Sequence, residues 1–189
     1  HVILNGDKTT GTGVIPYKLP INCSSTGPCL NLSELLINFL ENQDVVTRFY
    51  HPHILLENFI NCIMIVDATV DNGVSLCPYP PTPQNSLFFY LSDPISMQQN
   101  GEGAFIEQAR SVVVGPQLTR VTLDIKKRHK AVRVGFQPGG LHRFLGIPLK
   151  EIVDASFDAS DVFGNEMAEI NEKLQDAKDY NEIKNIIEG

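Results

Sequence analysis

No run of apolar residues in this 189-residue sequence approaches the roughly 20 needed to cross a bilayer as a helix. The first residues, HVILNGDKTTGTG, have no charged stretch leading into an apolar core, so no secretory signal is read there. Basic residues are in deficit: 15 Lys and Arg stand against 22 Asp and Glu, for a formal net charge of −7. That balance argues against a chain that grips phosphate backbones by itself. The four cysteines, Cys23, Cys29, Cys62 and Cys77, form no C-x-x-C pair, which removes zinc-ribbon and thioredoxin-type motifs from consideration. Nothing else points to secretion, so free thiols are expected in preference to a bridge between Cys23 and Cys29. There is no G-x-S-x-G elbow, and no Ser or Cys stands in a recognisable nucleophile setting with a His.

What is present reads as a globular chain, 42% hydrophobic and 20% charged, long enough for one domain with an appendage. Residues 1–30 are rich in Gly, Thr, Ser and Pro and form an irregular arm; Leu32, Leu35, Leu36, Phe39 and Leu40 then recur at helical spacing. ILLENFINCIMIVDATV is ambiguous in length, but its β-branched residues favour a long buried strand. After the break PYPPTPQN come short runs, SLFFYL, AFIEQA, SVVVG, RVTLDI and AVRVGF, several with period two: Val121, Leu123, Ile125, then Val132, Val134, Phe136. From Pro138 the period becomes helical, with Leu141, Phe144 and Leu145 on one face and Gly146 and Pro148 as punctuation. Met167, Ile170 and Leu174 make a second stripe, and Asp179 with Glu182 resembles a capping box. The expected architecture is α+β: an antiparallel barrel or sandwich followed by a helical C-terminal annex. Its expected bounds are an arm over 1–50, a β-domain over 51–140 and the annex over 141–189.

Four side chains invite a metal reading. His51, His53 and Glu57 have the spacing H-x-H-x-x-x-E, and His142 follows Pro-Gly-Gly. The flanking glycines of such a motif are missing and the second half is one residue short, so no metal or other cofactor is expected; these residues form the alternative set, for a stand-alone metal-dependent enzyme. KKRHKAVR, residues 126–133, is the basic cluster and reads as a solvated hairpin turn between two alternating strands. Asp154, Asp158 and Asp161 read as helix caps. Phe88, Tyr90 and Phe136 are the candidates to line a pocket, with core packing as the alternative.

The run SVVVGPQLTRVTLDIKKRHKAVRVGFQPGGLHRFLGIPLKEIVDASFDASDVFG resembles the N-terminal effector domain of AraC-type transcription regulators. The likeness rests on Gly115-Pro116, then Phe136 with Pro138-Gly139-Gly140, then Leu145, Gly146 and Pro148, continued by Asp154 and Phe163-Gly164. Gln137 stands where that group usually carries a basic residue. The resemblance implies a cupin-like β-domain whose following helices lead to a pair of helix-turn-helix units. No recognition helix rich in Arg and Gln follows before Gly189. The expectation is therefore a cytoplasmic, non-enzymatic sensing or dimerisation half of such a regulator. It would meet DNA only through a missing C-terminal domain, and the partners it allows are a small-molecule effector and a second copy of itself.

Overall fold

The computed structural model describes residues 45–70 and 75–189. The expected arm, the helix over Leu32–Leu40, Cys23 and Cys29 lie outside the described residues. Ten strands follow: β1 (Val45–Tyr50), β2 (Ile60–Thr69), β3 (Leu76–Tyr79), β4 (Ser86–Tyr90), β5 (Ser96–Gln99), β6 (Ile106–Glu107), β7 (Ser111–Val114), β8 (Val121–Asp124), β9 (Arg128–Phe136) and β10 (Ser156–Asp158). The helices are α1 (Gly140–Leu145), α2 (Ala159–Phe163), α3 (Glu166–Asp176) and α4 (Tyr180–Glu188), with a single 3₁₀ turn at Leu149–Glu151. One sheet has six strands in the order β1-β2-β9-β4-β7-β10; the other has four, β3-β8-β5-β6. Every pairing described is antiparallel.

The six-stranded sheet is covered on both faces, and this explains why INCIMIVDAT is almost continuously apolar. Met64, Val66 and Ala68 of β2 point inward to Cys77, Tyr79, Val121 and Ile125 of the smaller sheet. Ile63 and Ile65, with Leu87, Phe89, Val113, Val132, Val134 and Phe136, point outward to Leu141, Met167, Leu174 and Ile183 of the helices. Two separate cores therefore share one sheet. The annex is fixed at its start by the left-handed Gly146, whose N–H closes α1 on His142 O, and Asp158 caps α2 by accepting from Ser160 N. Asp179 accepts from Asn181 N and Glu182 N, and Glu182 accepts in return from Lys178 N, close to the capping box read from the sequence. Where the outer core gives out, Tyr180 anchors α4: Arg48 and Lys130 stand 5.0 and 5.6 Å from its ring, and its hydroxyl donates to Asp67.

Several expectations are corrected. The sheet exceeds the 51–140 bounds at both ends: β1 starts at Val45, and β10 returns from the annex to pair with β7. The basic stretch is not a hairpin turn, because β8 and β9 belong to different sheets. Lys127 and Arg128 are exposed, but His129 and Arg133 are buried within β9. β3 and β5 went unread; β3 runs through Pro78, which an edge strand tolerates because its outer N–H needs no partner. Cys62 is disulfide-bonded, with its partner outside the described residues, and Cys77 is a buried free thiol. The choice between free thiols and a bridge at Cys23 and Cys29 falls on residues outside those described. Burial pushes the Cys77 thiol up to about 11, which makes it unreactive.

Candidate functional site

Between the two sheets the core turns polar. Arg133 lies on the inward face of β9, opposite Met64 of β2 and Phe88 of β4, and is 1% exposed. Its Nη2 donates to Gln84 Oε1, it shares a hydrogen bond with Tyr79, and its guanidinium stands 6.0 Å from the Phe88 ring. Phe88 stacks on Tyr90 at 6.0 Å, and Tyr90 faces the His129 ring at 6.4 Å. Burial raises both tyrosines; the Arg133 charge opposes the shift at Tyr79, and Tyr79 adds to it at Tyr90. Burial also pushes the His129 imidazole down to about 4, the Asp67 carboxylate offsetting only part, so it is neutral at pH 7. Asn85 Oδ1 and Gln117 Oε1 are buried without a hydrogen-bond partner. A guanidinium, two phenols, a neutral imidazole and the Gln84 amide, all buried, are groups that can orient a small polar molecule by hydrogen bonds. None of them is arranged as a nucleophile with its base.

The sequence candidates divide across the sheet. Phe88 and Tyr90 face this interior, whereas Phe136 faces the helices, with Phe144 6.1 Å away. Phe88 and Tyr90 pack in the inner core, and Phe136 is corrected to outer-core packing because residues on one strand alternate faces. His51, His53, Glu57 and His142 are all exposed. His53 Nδ1 accepts from Leu55 N, and His142 Nδ1 is 2.8 Å from Ile147 O. Among the described residues no group of three or more His, Cys, Asp or Glu is placed to hold a metal. Asp154 does not cap a helix: its Oδ1 accepts from Leu118 N, Thr119 N and Thr119 Oγ1. Sequence reasoning missed Arg133, His129, Tyr79 and Gln84. The available signal was a charge inside a strand-like run, AVRVGF, whose neighbours Val132 and Val134 already claimed one buried face.

The Gly and Pro residues meet at the junction between sandwich and annex. A Cβ on Gly115 would sit 1.7 Å from Ile152 O, so only glycine lets that segment approach; Gly115 N donates to Ala155 O, and Asp154 N donates to Pro116 O. Gly139 is left-handed at φ 74°, and a Cβ on Gly140 would sit 2.3 Å from Phe59 O. Pro138 precedes that corner, and Pro148 sits at the start of the 3₁₀ turn with φ −60°. Gln137 spans the same corner, its N–H donating to Phe59 O and its amide to Glu57 O.

These features define an antiparallel two-sheet domain with a polar interior and a helical annex on one face. The chain belongs to the family of the domain of unknown function DUF6597, which matches residues 48–158, from within β1 to the end of β10. No curated protein sequence matches it. Among solved structures it is similar to Clostridium difficile EutQ (7% identity, 55% of this chain and 70% of that one, TM-score 0.39). It is also similar to hydroxypropylphosphonic acid epoxidase from S. wedmorenis (14%, 51% and 56%, 0.35) and to a Vibrio parahaemolyticus protein of unknown function (8%, 39% and 73%, 0.31). It spans little more than half the epoxidase's length. At these TM-scores the likenesses assign no function. No helix among the described residues is long and apolar enough to cross a membrane.

Proposed function

We propose that the chain is the sensing half of an AraC-type transcription regulator, a cupin-like domain without catalytic activity of its own. A small-molecule effector is received between the sheets at Arg133, Gln84, Tyr79, Tyr90 and His129, and DNA is met through a C-terminal domain outside this sequence. The observation that carries the reading is the position of Arg133. It is a buried charge on β9, the strand whose other face holds Val132, Val134 and Phe136 against the annex. A buried charge is a poor source of stability, which favours a recognition role for it. An effector that moved Arg133 would move the surface on which the helices rest. The order of Gly115-Pro116, Pro138-Gly139-Gly140 and Gly146/Pro148, all at the junction between these two parts, supports the same reading. The reading places the protein in the cytoplasm, with a homodimer as its assembly. The Cys62 disulfide sits least well with that compartment, where thiols are kept reduced.

The test is a thermal-shift screen of small carboxylates, polyols and amino acids on the wild-type chain and on Arg133→Met, with a gel shift on duplex DNA alongside. A ligand that raises the melting temperature of the wild type and not of Arg133→Met supports the proposal, as does no DNA binding at physiological salt. Sequence-dependent DNA binding by this chain alone, or near one equivalent of Fe, Mn or Zn by elemental analysis, lost in His53→Ala, would overturn it.

A further inference from the structure

Sheet edges are usually short, charged or covered, and one flank of this sandwich, short and acidic, nonetheless leaves large apolar side chains exposed. β6 closes the small sheet and β10 the large one, and the two are joined across the flank by Ser156 Oγ donating to Gln108 Oε1 at 3.3 Å. Among the described residues, the outer edge of each strand takes no partner strand. Along them Ile106 is 67%, Phe157 39% and Phe105 37% exposed, although Ile106 pairs with Met97, which packs into the core. Apolar exposure of this kind on a sheet edge marks an interaction site or an aggregation liability, and the surrounding charge decides which. No Lys, Arg or His falls in residues 99–109 or 151–162; Glu102, Glu107, Glu151, Asp158 and Asp161 are exposed there. The basic neighbours are Arg110 and Lys150, exposed just outside these two stretches, and Arg120, whose carbonyl accepts from Asn100 N. The 100–103 turn beside the edge is held open by left-handed Asn100, Gly101 and Gly103.

We propose that this flank docks a basic, extended segment of a partner protein, which places apolar side chains against Ile106, Phe105 and Phe157 and its cations on the carboxylates. A second copy of this chain would bring the same carboxylates face to face, and like charges opposed across an interface are disfavoured. Main-chain pairing to the free edges would give affinity, and the carboxylates would set the sign of the partner.

The experiment uses the full chain and two short labelled peptides, one alternating Lys and Ile, the other Glu and Ile, read by fluorescence anisotropy. The Lys peptide is expected to bind, to weaken with added salt, and to weaken about tenfold or more in Ile106→Lys and in the double variant Glu102→Lys, Glu107→Lys. The Glu peptide is expected not to bind. Unchanged melting temperatures would show that the variants still fold. Absent binding of the Lys peptide, equal binding of both peptides, or binding unaffected by Ile106→Lys overturns the proposal. So does a dimer seen by light scattering that Ile106→Lys dissociates, because the flank would then belong to a second copy.

Discussion

The two faces of the six-stranded sheet are both buried, yet they differ in kind. The outward face presents Ile63, Ile65, Phe89, Val132, Val134 and Phe136 and is closed by Leu141, Leu174 and Ile183, an apolar interface of the sort that holds a fold together. The inward face mixes Met64, Val66 and Val112 with Arg133, His129 and Tyr90, and meets Tyr79 of the smaller sheet. One strand, β9, contributes to both, its even-numbered residues to the helices and its odd-numbered ones to the interior. The contrast teaches that burial alone does not mark a structural core. The outward face stabilises, while the inward face carries groups whose burial costs stability and which therefore need another reason to be there.

The comparison can be broken most directly at the junction. Gly115→Ala forces a Cβ onto the Ile152 carbonyl, so the annex must lift from the sheet, with an expected loss of about 3 kcal/mol or more in urea unfolding. A loss under about 1 kcal/mol would show that the 149–155 segment yields freely. Reduction of the Cys62 disulfide is expected to cost roughly 2–4 kcal/mol, seen as a lower melting temperature with reductant in the wild type and no response in Cys62→Ala.

Acid should act on the inward face through His129. Its folded pKa of about 4 lies below the ordinary value of 6.5, so the unfolded chain binds the proton first. Stability is therefore full above pH 6.5 and is lost as pH falls from there toward 4, by about 2 kcal/mol at pH 5. His129→Phe should flatten that part of the pH profile. An unchanged slope in the variant would assign it to another group.

The outward face was legible in the sequence, and so were Phe88 and Tyr90 on the inward one; its charged and amide groups were not. Val132, Val134 and Phe136, then Leu141, Met167 and Leu174, follow the periods that burial imposes, and the glycines at 115, 139, 140 and 146 announce backbone demands that only glycine meets. Arg133 and His129 carry the opposite cue. In a basic run they read as surface, because charge predicts solvent unless the partners that hold it are known, and Gln84 and Tyr79 are distant in sequence. β8 and β9 looked like a hairpin because alternation reports which face is buried, not which sheet a strand joins. β10 is three residues long and is made by its partner β7 more than by its own pattern.

The most direct test compares Arg133→Met with Phe136→Ala, an inward- and an outward-facing residue of β9, by urea unfolding at pH 7. The account expects Phe136→Ala to lose about 3–5 kcal/mol, as buried aromatics do. Arg133→Met should stay within about 1 kcal/mol of the wild type or exceed it, because Met fills similar volume without the desolvation cost of a charge. If Arg133→Met loses as much as Phe136→Ala, the inward face is a structural core like the outward one, and the distinction between them fails.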